Sequence, residues 1–96
     1  MDKAVYKSVS DRADGLCENC TKWENLELHH ILRRKVPATI DNCIMLCSEC
    51  HRGTKGVHGK EGHRLDVRFK QGVQAIYLSQ GKTENETRVL MGGRLY

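Results

Sequence analysis

Two kinds of residue in this chain could do chemistry together. Cysteines stand in two Cys-x2-Cys pairs, Cys17 with Cys20 and Cys47 with Cys50. Polar groups lie between and just after them: the adjacent pair His29 and His30, then Asn42, then His51 directly after the last cysteine. In a Cys-x2-Cys turn both sulfurs can point inward, so two such pairs supply the four corners of a tetrahedron. Zn²⁺ suits four thiolates with no open position, which defines a structural site. The intervening stretch, residues 21–46, is longer than in common zinc ribbons and implies a strand and loop inserted between two knuckles. These four cysteines sit at turns beside charged residues, not inside apolar runs. Cys43 is left over; it alternates with Met45 and reads as a small buried hydrophobe.

The histidines suggest hydrolysis. A neutral imidazole near pH 7 can take a proton from water. A divalent cation can stabilise the charge that develops on a phosphate and on a departing oxygen. Asn42 can both accept and donate, so it can fix a turn or an imidazole tautomer. Adjacent strand residues point to opposite faces, so His29 and His30 can serve one site only if their strand bends at its end.

The matches "CENC", "LELHHI", "DN" and "IMLCSECH", covering residues 17–51 and continuing weakly through "VHG" at 57–59, resemble the zinc-stapled HNH endonucleases. The resemblance implies a ββα-metal finger, two antiparallel strands and a helix wrapped around one divalent metal. It implies that His29 and His51 hold the catalytic metal, that His30 is the general base, and that Asn42 holds the loop and helps orient His30. His58 resembles the last histidine of the family's Cys-His-x3-His ending but comes three residues late, so it enters as an auxiliary ligand or phosphate contact. Many relatives carry Asp where this chain has His29. An imidazole there favours Mn²⁺, Ni²⁺, Co²⁺ or Zn²⁺ over Mg²⁺. Small members are frequent in bacteriophages and bacteria, so the resemblance implies a phage or bacterial source and action on DNA in the (host) cytoplasm.

Composition fits this reading. The chain has 96 residues, 39% hydrophobic, with five aromatic side chains among Phe, Trp and Tyr. That is one small domain, 1–96, which needs a staple beyond apolar packing. Its first residues are charged and lack the apolar core of a signal peptide, and no stretch approaches a membrane span, so a reducing, cytoplasmic setting is expected. Net charge is +4, which permits a nucleic-acid partner. Arg33, Arg34, Lys35, Arg52 and Lys55 are the candidates for phosphate contact, with DNA as the partner.

The elements that must position these residues follow from periodicity. Residues 3–14 predict a helix with Val5, Val9 and Ala13 inward. "LELHHI" and "CIMLC" predict strands. "SECHRGTK" predicts a helix start capped by Ser48. Residues 63–81 predict a long helix with Leu65, Phe69, Val73, Ile76 and Tyr77 on one face, ended by Gly81. Thr83 and Glu86 form a capping box that opens a last helix through Val89, Leu90 and Met91. The expected fold is thus α+β: a ββα-metal finger with two zinc knuckles, motif core 17–59, flanked by an N-terminal helix and by C-terminal helices at about 63–91. The rival reading is a non-catalytic zinc-stapled module that binds nucleic acid or protein.

Overall fold

The computed structural model describes residues 3–33 and 36–96, and all structural statements refer to those. Helix α1 (Lys3–Ala13) precedes strand β1 (Leu26–His30) and strand β2 (Cys43–Cys47); helices α2 (Ser48–Arg52), α3 (His63–Ser79) and α4 (Glu84–Leu90) follow. The protein is a small α+β fold around a two-stranded antiparallel sheet. The strands pair from Leu26 opposite Cys47 to His30 opposite Cys43.

Alternation along the strands builds two faces. Leu26 and Leu28 pack with Cys43 and Met45 against Val9 and Ala13 of α1. On the other side Ile44 and Leu46 join Val57 and Phe69. A third cluster, Ile31, Leu32, Val73, Tyr77 and Met91, ties the strand end to α3 and α4. Cys43 is fully buried, as expected of a small hydrophobe.

A polar clamp fastens the first knuckle to this scaffold. Arg12 donates from Nε and Nη2 to the two Glu18 carboxylate oxygens, at 2.8 and 2.9 Å. It also donates to the carbonyls of Ile40 and Cys43. Glu18 in turn accepts from the Met45 backbone N–H at 2.9 Å. One guanidinium therefore links α1, the knuckle and β2.

Several local expectations need correction. Ser48 is the first residue of α2 rather than its cap; Cys47 occupies the cap position and makes no side-chain capping bond. The inward stripe of α3 is narrower than predicted, because Ile76 is exposed while Asp66 is buried. Val89 of α4 is 74% exposed. The capping box is present, with Glu86 N–H donating to Thr83 Oγ1 and Thr83 N–H donating to Glu86 Oε1. Thr83→Ala should cost about 1 kcal/mol in urea unfolding and leave metal content unchanged, since α4 packs on α3 and contributes no residue to either metal-binding cluster.

Between α2 and α3 the chain makes three successive turns with glycine at each corner. Gly56 N–H donates to Gly53 O, Gly59 to Gly56 and Gly62 to Gly59. The coil folds back on α2, with Val57 N–H on Cys50 O and His58 N–H on His51 O, both at 2.9 Å. A side chain at Gly59 would run into the Gly53 carbonyl, and one at Gly62 into the Gly56 carbonyl. Close backbone approach is the reason for glycine at both corners.

Candidate metal centres

The four knuckle cysteines converge. The sulfurs of Cys17, Cys20, Cys47 and Cys50 all lie within 4.8 Å of one another, and none is in a disulfide. Cys20 and Cys47 are 3.6 Å apart at sulfur. A tetrahedron with Zn–S bonds of about 2.3 Å has an edge of about 3.8 Å, so the spacing suits a single zinc ion. Loop geometry supplies the outer support. Asn19 donates from its backbone to Cys17 Sγ and from Nδ2 to Cys50 Sγ. Burial raises the Cys17 thiol, but backbone N–H groups of residues 47, 20 and 19 outweigh it and bring the group to about 7. Burial, together with crowding by its three sulfur neighbours, pushes Cys50 up to about 12. Such a cluster cannot ionise fully without a cation, and binding one would release protons.

A second cluster is built from histidines. His29, His51 and His58 offer ring nitrogens within 4.8 Å of one another, and the ring centroids are 4.8 to 5.2 Å apart. His29 comes from β1, His51 from α2 and His58 from the glycine coil. His29 Nε2 is buried and has no hydrogen-bond partner, a costly state unless a ligand completes it. Burial, then the neighbouring rings of His51 and His58, pushes His29 down to about 4. Burial and His51 likewise hold His58 below the ordinary imidazole value. Both are therefore neutral near pH 7, the form that binds metal. The donor set fits one divalent transition ion with positions left open.

Two acidic residues complete the surroundings, and the sequence reading assigned neither a role. Glu27 accepts from His51 Nδ1 at 2.8 Å, which leaves His51 Nε2 free to face its neighbours; a carboxylate behind a ligating imidazole is a recurrent support of metal sites. The period-two pattern of β1 could have found it, because Glu27 shares a face with His29. The hydrogen bond to His51, with help from Arg52, holds the Glu27 carboxyl below the usual range. Asp66 is buried in the first turn of α3 and accepts from Lys70 at 2.9 Å.

The other candidates distribute as follows. β1 stays paired with β2 through His30, so the expected bend is not found there and His30 leaves on the face opposite His29. Its Nε2 is buried without a partner, and burial lowers its pKa. Asn42 is buried and spends its side chain on the loop before β2, accepting from Thr39 N–H at 2.9 Å and donating to Pro37 O at 3.1 Å. It holds that loop and makes no hydrogen bond to His30. Arg52 is paired with Glu27. Lys55 lines a cleft beside Cys20 and Cys50. Arg33 lies 3.6 Å from Asp66. Arg34 and Lys35 lie outside the described residues.

Residues 17–55, which carry both cysteine pairs, His29, His30, Asn42 and His51, match the family model described as HNH endonuclease. Over 62 residues the chain is 36% identical to the type IV methyl-directed restriction enzyme EcoKMcrA of Escherichia coli (strain K12), a match covering 53% of this chain. The chain spans 22% of that enzyme's length. No solved structure matches the chain. No described helix is long and apolar enough to cross a membrane.

Proposed function

We propose that the chain, as one domain over 1–96, is a metal-dependent endonuclease that hydrolyses DNA phosphodiester bonds, leaving 5′-phosphate and 3′-hydroxyl ends. The observation that carries this reading is the convergence of His29, His51 and His58, with a buried, unpartnered His29 Nε2, inside an HNH segment. Cys17, Cys20, Cys47 and Cys50 hold a structural zinc, and His29, His51 and His58 hold the catalytic ion. When bound, that ion would offset charge on the phosphate and the departing 3′ oxygen. Glu27 fixes the His51 tautomer. Asn42 keeps the loop after β1 in place. His30, neutral through burial and with an unpartnered Nε2, is the group that takes the proton from water, once the end of β1 bends to bring its ring round to the face of His29.

The test is plasmid cleavage with a panel of divalent metals after mild chelation. EDTA should abolish cutting without unfolding the protein, because the His ligands exchange their ion while the thiolate site retains zinc. Mn²⁺, Ni²⁺, Co²⁺ or Zn²⁺ should restore cutting better than Mg²⁺. DNA binding with no cleavage under any metal would instead make the domain a binding module.

A further inference from the structure

A cleft of about 310 Å³ adjoins the histidine cluster. His58 forms one wall, so the cleft opens directly from the cluster. Arg33, Lys60, His63 and Asp66 contribute the rest of its polar lining. Nothing in the HNH segment, which ends at residue 55, includes Lys60, His63 or Asp66.

The charge pattern is that of an anion seat. Asp66 is the opposing charge: Oδ2 accepts from Lys70 at 2.9 Å, while Oδ1 is buried with no hydrogen-bond partner and faces the Arg33 guanidinium at 3.6 Å as an ion pair. Asp66 therefore steadies Arg33 more than it repels an incoming anion. Arg33 itself sits at φ +57°, a left-handed conformation that a non-glycine residue adopts at some cost. Its side chain remains half exposed and reaches the same cleft. Lys60 and His63 are exposed and paired with no carboxylate among the described residues. By contrast, Arg52 is tied to Glu27 and Lys22 to Glu49.

We propose that this cleft binds a second phosphate of the DNA strand, next along the chain from the one at the histidine cluster. Arg33 and Lys60 supply charge, His63 supplies a hydrogen-bond donor, and Asp66 is a positioning residue that holds Arg33. The cleft thus sets the direction in which the strand crosses the site. The assignment rests on the nuclease reading for the identity of the anion, but its test does not need cleavage.

The experiment measures binding of a fluorescent short DNA duplex by anisotropy in EDTA, from 50 to 200 mM salt, for the full chain and for Lys60→Ala, His63→Ala and Asp66→Asn. Lys60→Ala should flatten the log Kd against log salt slope by about one unit. His63→Ala should weaken binding several-fold with the slope retained. Asp66→Asn should weaken binding as well, although it removes a negative charge, because Arg33 loses its anchor; a merely electrostatic role would tighten it. Ni²⁺ affinity by calorimetry should be unchanged in Lys60→Ala, showing that the fold and the histidine cluster are intact. An unaltered slope in folded Lys60→Ala, or tighter binding in Asp66→Asn, overturns the proposal. Failure of cleavage under every metal, with these binding changes present, would count against the nuclease reading alone.

Discussion

Cys47→Ser should lose the tightly held zinc and most of the folded structure. Cys47 is buried at the junction of β2 and α2, and its sulfur is 3.6 Å from that of Cys20. Removing one thiolate leaves three ligands around a site that suits four. The binding energy of a structural zinc is folding energy, with apparent values of about 10–16 kcal/mol in zinc-finger peptides. A small domain has about 5–15 kcal/mol of net stability in total, so losing the zinc term removes about as much as the whole of it. Elemental analysis of washed protein should find one zinc per chain in the parent and none in the variant. Far-UV circular dichroism should report the same loss through the helices α1 and α3, since Trp23, the chain's single tryptophan, is already 72% exposed. A well-folded, zinc-free Cys47→Ser protein would refute the structural role.

The second large effect should separate the two adjacent histidines. His29→Ala should weaken binding of the exchangeable metal strongly, because it removes the buried Nε2 at the centre of the cluster. Excess metal should restore part of the cleavage. His30→Ala should keep metal affinity, since His30 lies on the other face of β1, and lose turnover by about 10²–10⁴-fold, the usual worth of a general base. The parent's rate should rise with pH as the base loses its proton. Burial lowers the His30 pKa, so this rise belongs below the ordinary imidazole value and should vanish in His30→Ala. Calorimetric metal titration of both variants, with single-turnover rates, distinguishes the roles. Metal loss in His30→Ala with metal retention in His29→Ala would reverse the assignment. Unchanged cleavage in both would move the active site elsewhere.

Much of this architecture was legible in residue types and spacing. The two Cys-x2-Cys pairs announced themselves because short turns constrain sulfur direction locally. β1 and β2 were legible from alternation, and α4 from the reciprocal bonds of Thr83 and Glu86. Less legible were features made by distant residues meeting. The Arg12–Glu18 clamp joins a helix face to a knuckle, and no local pattern marks it. Asp66 stands at a helical position where a solvated carboxylate is the ordinary outcome; only the arrival of Lys70 and Arg33 makes its burial tolerable. His58 stands at the margin of the sequence pattern because its distance from His51 exceeds the family's helical spacing. The glycines at 53, 56, 59 and 62 were the available signal. A residue lacking Cβ at every third position is what a chain needs when its turns lie against one another's carbonyls.

That glycine coil also bears on how such a domain can change over generations. In a helix, adding or deleting residues swings every later side chain around the axis, so a ligand lost from its face is lost altogether. Here the spacing between His51 and His58 is carried by three-residue turns that are also bonded back to α2, Val57 N–H to Cys50 O and His58 N–H to His51 O. Losing or gaining one Gly-x-x unit between them would shorten or lengthen the run by a whole turn and break both of those bonds. The length of this stretch is therefore guarded by the same bonds that seat its third ligand, and a change in it costs that ligand just as it would in a helix.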